Sequence, residues 1–352
     1  MKTILKWPGG KEKELPVIRK YTPIYTGRFV EPFVGGGAVF FDTATPICCI
    51  NDKSTELINL YNCTRNKDAD FIKYLQAEID EFTSLSTFVD EHHSDILSLY
   101  HSEISVDDFI QKYNTIFSKL ADKYNRVFIK ELKKNLSSKI KRSEKLEKEN
   151  GVIPDSDRID NIEAALKSAY YMFVRYLQNH MSELSNGRQA AVFFFIREYC
   201  YSSMFRYNSK GYFNVPYGGI SYNRKDFQKK VDYLFSDEMT QKLSGADIYC
   251  EDFEEFIEGL NLTEEDFIFL DPPYDSDFST YAQNEFGREE QIRLCECLKR
   301  TRAKILLIIK NTDFIYDLYK DDFTITSFDK KYMVSFMNRN DRDVEHLVIT
   351  NY

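Results

Sequence analysis

Hydrophobic residues recur along this chain with two different periods, and the two periods divide it. Short, nearly continuous apolar runs lie towards both ends: Phe29-Val30, Ile47 to Ile50, Asp247 to Cys250, Phe267 to Leu270 and Lys304 to Lys310. Runs this short, closed by turn residues rather than alternating with polar ones, predict the strands of an open α/β sheet, and Phe267 to Asp271 reads as one buried on both faces. Phe323 to Phe328 and Glu345 to Thr350 predict a closing pair, and Glu12 to Tyr21 and Glu289 to Arg300 predict helices. Residues 62 to 185 follow a helical period instead. Phe71, Leu75, Ile79 and Phe82 recur at helical spacing, as do Phe109, Tyr113, Phe117, Leu120 and Tyr124. Gly151 to Pro154 interrupts the pattern before Ile159, Ile162, Leu166, Phe173 and Leu177 resume it. A further buried helix starts at Arg188 and is expected to run to about Phe205. The reading is an α/β chain with a helical insertion between its second and third strands. Residues 1–61 and 231–352 form the sheet domain, and 62–230 the inserted one.

Composition changes this picture little. At 352 residues, with 43% apolar and 29% charged positions, the chain has the balance of a soluble globular protein. Its 28 Phe and 24 Tyr are mostly core, with some Tyr available to stack on bases. The formal charge of −9 argues against indiscriminate coating of nucleic acid, but not against a local basic surface on an acidic body. Seven cysteines, without a paired CxxC set, and five scattered His predict reduced thiols and no structural metal. There is no long apolar run and no apolar signal core, so a cytoplasmic protein without a membrane segment is expected.

The chemistry concentrates where strands end. After Phe267 to Leu270 come Asp271, Pro272, Pro273 and Tyr274. Two prolines remove two N–H donors and force the chain out of the sheet. The loop then offers a carboxylate, free carbonyls and an aromatic ring, which suit a planar group carrying an exocyclic amine. The run Phe29 to Phe41 passes from a strand through Gly35-Gly36-Gly37 into an apolar helix. It lacks the third glycine of the dinucleotide fingerprint, which disfavours pyrophosphate and leaves room for a neutral or cationic cofactor. Asp52 ends the second strand, as an acceptor for ribose hydroxyls or as an N-cap for the helix near Thr55. Near the N-terminus, Trp7 and Lys11 flank Gly9 and Gly10, and Lys11 could meet a carboxylate as a mobile point charge. Asp52, Asp252 and Asp271, at the tips of three strands, would line one cleft.

Two segments carry the positive charge. Lys119 to Lys148 holds eleven bases against four acids, either facing phosphates or forming a solvated helix face. Arg188 to Lys230 holds eight bases against two acids, interleaved with Tyr, and Asn208 to Gly211 supplies turn chemistry.

Five ordered blocks resemble the Dam-type (D12 class) N6-adenine DNA methyltransferases. They are Lys6 to Lys11, Glu31 to Phe40, Asn51-Asp52, Arg206-Tyr207-Asn208 with Gly211 to Gly218, and Asp271 to Tyr274. The resemblance implies a Rossmann-like S-adenosylmethionine-dependent methyltransferase sheet with an inserted, mainly helical target-recognition domain for double-stranded DNA. Asp271, Pro272 and Tyr274 would be catalytic. Trp7, Lys11, Glu31, Pro32, Gly35, Asp52, Asp252, Phe253 and Asp271 would bind S-adenosylmethionine. Tyr201, Arg206, Asn208, Lys210 and Pro216 would meet DNA, with Arg206 reading a guanine 5′ of the adenine. Pro8 stands where relatives usually carry Ala, and Cys200 to Phe205 replaces the family's common Tyr-Asn-Gly-Leu pattern ahead of Arg206. The expected activity is methyl transfer to N6 of a flipped-out adenine in a GA-containing site, without a metal, by a monomer. A cognate restriction endonuclease is a further partner to consider. The alternatives are the same fold acting on cytosine N4 or RNA adenine, a nucleotide-dependent oxidoreductase, and a catalytically silent DNA-binding protein.

Overall fold

The computed structural model describes residues 1–273, 286–331 and 343–352. It divides into two units, residues 1–66 with 235–352, and residues 67–234.

The first unit is built on β1 (Phe29–Glu31), β2 (Cys48–Asn51), β3 (Ala246–Tyr249), β4 (Phe267–Leu270), β5 (Lys304–Lys310), β6 (Thr324–Lys331) and β7 (Asp343–Thr350). They form one sheet in the order β3-β2-β1-β4-β5-β7-β6. The first five are parallel, with Val30 opposite both Cys49 and Ile268, and β7 runs antiparallel between β5 and β6. β1, β2 and β4 are buried along their whole length, which is why their sequences read as continuous apolar runs. One face of the sheet packs Val30, Ile268, Leu270, Ile305 and Leu307 against Phe256, Leu294 and Leu298 of flanking helices. β1 lies between β2 and β4, so the winding direction reverses there. The carboxyl ends of strands at such a reversal are where open α/β sheets bind ligands. This is the Rossmann-like methyltransferase sheet that the sequence predicts.

The second unit is mainly helical. Ala69–Glu91, Asn125–Asn150, Asp155–Gln178 and Asn186–Tyr199 are its long helices. Asp68 and Ser185 cap two of them by accepting from the N–H groups of Phe71 and Arg188. Phe82, Tyr170, Phe195 and Tyr199 meet at its centre, with ring centroids 4.4–6.0 Å apart. A buried helix reaching Phe205 is not found: it stops at Tyr199. Cys200 turns extended and bridges Tyr217, and Ser202 and Ser203 both adopt positive φ, at 53° and 50°. The buried Arg197 guanidinium holds this turn by donating to the carbonyls of Ser203 (2.5 Å) and Met204 (3.0 Å) while lying 3.7 Å from the Phe205 ring. Hydrophobic spacing overestimates the helix because Met204 and Phe205 fit its period while the intervening serines leave it.

Candidate active site

Asp271 follows the last residue of β4, and Lys11 reaches it from the N-terminal loop. The Lys11 ammonium is buried, donates to Asp271 Oδ2, and also donates to the Gly9 carbonyl at 3.1 Å. The two residues lie 260 positions apart in sequence. Behind them Gln291, fully buried on the helix Arg288–Arg300, donates through Nε2 to the Pro273 carbonyl at 2.9 Å. Gln291 was not among the expected site residues. Its signal is a polar side chain at the head of the apolar stripe Leu294, Cys295 and Leu298. Tyr274 lies outside the described residues.

One strand away, the glycine turn is fixed from several sides. Gly35 and Gly37 have φ of +47° and +74°, which a side chain would strain. A Cβ on Gly35 would fall 2.7 Å from the Trp7 ring, so the indole packs directly on the turn. The Gly35 N–H donates to Asp52 Oδ2 at 2.9 Å, and the Tyr61 hydroxyl donates to its carbonyl at 2.9 Å. Asp52 Oδ1 accepts from the Ser54 N–H, while Ser54 itself caps the helix Thr55–Arg65. The buried Asn51 ties the strand ends together, donating to the carbonyls of Pro32 and Glu251 at 3.1 Å and accepting from the Glu251 N–H at 2.8 Å.

Glu31, at the end of β1, is 2% exposed, and its Oε2 has no hydrogen-bond partner. Burial pushes its carboxyl well above the ordinary range, and the nearby Asp271 and Asp52 add to the rise against a bond from the Phe40 N–H. Burial also raises Asp52, opposed by its two backbone bonds. Glu31, Asp52 and Asp271 therefore form a crowded group of acids that an incoming cation would relieve. Lys11 already neutralises part of it.

Asp252 and Phe253 follow the end of β3. Asp252 caps the helix Phe253–Gly259 and takes two bonds from Arg293, at 2.5 and 2.6 Å. Phe253 packs with Phe33 and Phe286 at centroid distances of 5.6 Å, and Arg293 lies 4.4 Å from its ring. Phe33, Phe286 and Arg293 were not anticipated. Their roles depend on strands and helices far apart in sequence.

In the second unit the predicted DNA residues lie on a hairpin. Tyr207 pairs with Phe213, and Gly211 turns the tip at φ +77°. The Asn208 side chain holds that tip by accepting from the N–H groups of Lys210 and Tyr212, at 2.9 and 3.1 Å. Lys210 and Pro216 are exposed, as is Tyr201, whose N–H donates to the Pro216 carbonyl. Arg206 is half-buried, donating through Nε to Asn214 Oδ1 at 2.8 Å and through Nη2 to the Asn214 carbonyl at 3.1 Å. Three neighbouring bases are structural. Lys225 and Lys230 neutralise the buried Glu198, and Arg224 pairs with Asp90 and Glu163.

Among the described residues no cluster of three or more His, Cys, Asp or Glu could hold a metal ion, and no helix is long and apolar enough to cross a membrane. Residues 7–158 and 151–334 match the family model described as D12 class N6 adenine-specific DNA methyltransferase. The Type II methyltransferase M.CviBI of Paramecium bursaria Chlorella virus NC1A is 29% identical over 358 residues, covering the whole of both chains. The Type II methyltransferase M.MjaIII of Methanocaldococcus jannaschii is 27% identical, covering 100% of this chain and 99% of its own. The DNA adenine methylase of Escherichia coli K12 is 24% identical, over 89% of this chain and 81% of its own.

Proposed function

The chain belongs to the D12 class N6 adenine-specific DNA methyltransferase family, and from that premise we propose that it methylates N6 of an adenine flipped out of duplex DNA, with S-adenosylmethionine as donor, in a GA-containing site. The observation that carries this reading is the meeting of Asp271, Lys11 and the Gly35 turn at the carboxyl end of the sheet.

The residues present fit the donor. Glu31 offers an unpartnered buried oxygen within a group of acids, in keeping with a ligand that carries positive charge. Each Asp52 oxygen keeps a lone pair beyond its backbone bond, so both can still accept from ribose hydroxyls. Trp7, Lys11, Glu31, Pro32, Gly35, Asp52, Asp252, Phe253 and Asp271 are the residues assigned to hold it. S-adenosylmethionine, when bound, supplies a methyl group on a sulfonium.

Adenine N6 is a weak nucleophile because its lone pair is delocalised into the ring. Asp271 and the Pro272 carbonyl are assigned one N6–H bond each. Together they draw the nitrogen towards tetrahedral geometry and free its lone pair. Lys11 keeps the Asp271 carboxylate oriented, and Gln291 keeps the proline loop in place. The contribution is one of positioning and electrostatics. Extrusion of the base costs a few kcal/mol. We take the chain to act as a monomer, and the type II names of its relatives make a cognate endonuclease a partner to look for.

The test incubates the purified chain with S-adenosylmethionine and unmethylated DNA and sequences single molecules for modified bases. N6-methyladenine at one recurring motif is the expected result, and N4-methylcytosine alone would overturn it. Asp271→Ala should bind the donor within several-fold of wild type and lose methyl transfer by orders of magnitude. Near-normal turnover in that variant would refute the assigned role.

A further inference from the structure

The helix Asn125–Asn150 buries Phe128, Leu132, Leu136 and Ile140 on one side. At 100° per residue, Arg126, Lys130, Lys133, Lys134, Lys141, Lys145 and Lys148 fall within roughly a third of its circumference on the opposite side. All seven are exposed. Glu144 is the one acid on that arc. Lys133 pairs with Asp107, and Lys134 and Lys145 make looser contacts within the helix, at 4.0 and 3.7 Å. Arg126, Lys130, Lys141 and Lys148 meet no acid among the described residues. A solvated helix usually intersperses both signs, with i,i+4 partners. Here seven cations share one arc with a single acid, and four of the seven meet no acid among the described residues, on a chain whose net charge is −9.

The row also starts beside the hairpin. Tyr124, just ahead of the helix, packs on Tyr176, which stacks on His180, whose ring lies parallel to that of Tyr212 at 6.5 Å. From Arg126 the row runs away along the helix Asp155–Gln178, past the Ser168–Asn135 bond to the Arg158–Glu147 ion pair. At 1.5 Å per residue Arg126 and Lys148 are about 33 Å apart, close to the length of one turn of B-DNA.

We propose that this face is a second, sequence-independent DNA contact, a phosphate-tracking arm that engages duplex flanking the site read by the hairpin. It rests on the DNA methyltransferase reading. The unpaired cations would displace condensed counterions from the duplex, adding affinity and salt dependence without base readout.

The experiment uses the full chain carrying Arg126→Gln, Lys130→Gln, Lys141→Gln and Lys148→Gln, exposed changes of similar helix propensity. Binding to a duplex of about 12 base pairs and to one of about 30, both centred on the site, is measured over a salt series. On the longer duplex the slope of log Kd against log salt should flatten by about 0.9 per lost contact. The preference for the longer duplex should shrink, while methylation of the shorter one stays at the wild-type rate. An unchanged slope and length preference, with methylation intact, would overturn the arm alone. A slope flattened equally on both duplexes would overturn the flanking placement. Failure of the wild-type chain to methylate DNA would instead overturn the functional reading beneath it.

Discussion

Replacing Glu31 by Gln tests whether the buried acid group stores unfavourable charge. In the folded chain the Glu31 carboxyl is held well above its ordinary value of 4.5, first by burial and then by Asp271 and Asp52. The folded state therefore keeps a proton that the unfolded state releases once pH rises past about 4.5. Folded-state stability must fall as pH rises from there, at about 1.4 kcal/mol per pH unit, until the folded carboxyl ionises. Glutamine has the same shape, cannot ionise, and leaves an unpartnered polar atom where Glu31 Oε2 already lacks a partner. At pH 4.5 the two proteins should unfold alike. Above that pH the variant should gain on the wild type by about 1.4 kcal/mol per pH unit for as long as the folded carboxyl keeps its proton, and the pH where the gap stops widening is the folded value of the carboxyl. Thermal unfolding followed through Trp7, the only tryptophan and one packed on the glycine turn, reports this unit directly. A cationic donor seated among these acids would favour ionised Glu31. Wild-type affinity for S-adenosylmethionine should then rise with pH over the same window, while the variant's stays flat. Parallel unfolding profiles for the two proteins would refute the argument.

Three further substitutions separate the roles in the two units. Asp52→Asn turns one carboxylate oxygen into a donor facing the Gly35 or Ser54 N–H, so it should cost about 1.5–3 kcal/mol in stability and weaken donor binding at least tenfold. Calorimetry with both quantities unchanged would contradict it. Gln291→Leu removes the bond to the Pro273 carbonyl and should lower kcat while leaving the donor's Kd within about twofold. A KM effect without a kcat effect would mean that Gln291 does not position the loop. Arg206→Ala should lose roughly 1–3 kcal/mol of DNA affinity and relax specificity at a single base pair. Uniform weakening across all sequences would make Arg206 a phosphate clamp.

Local chemistry was readable from the sequence alone. Continuous apolar runs marked β1, β2, β4 and β5 because a strand buried on both faces leaves no polar position to disguise it. Asp271 to Pro273 announced a loop because proline cannot continue a ladder, and Gly211 a positive-φ turn because few other residues tolerate one. Period 3.6 located the helical insertion and period alone misjudged one helix, since two serines at positive φ end it where Arg197 can hold their turn. Partners separated by long stretches of chain were decided only by the tertiary structure. Lys11 sits on Asp271, Asn51 joins Pro32 to Glu251, and Gln291 supports Pro273 because the sheet order brings β1, β2, β3 and β4 to one edge. Side-chain type states what a residue can bond. Which bond it makes depends on the strand crossings that set its neighbours, and that order is fixed by burial of the whole sheet rather than by any one segment.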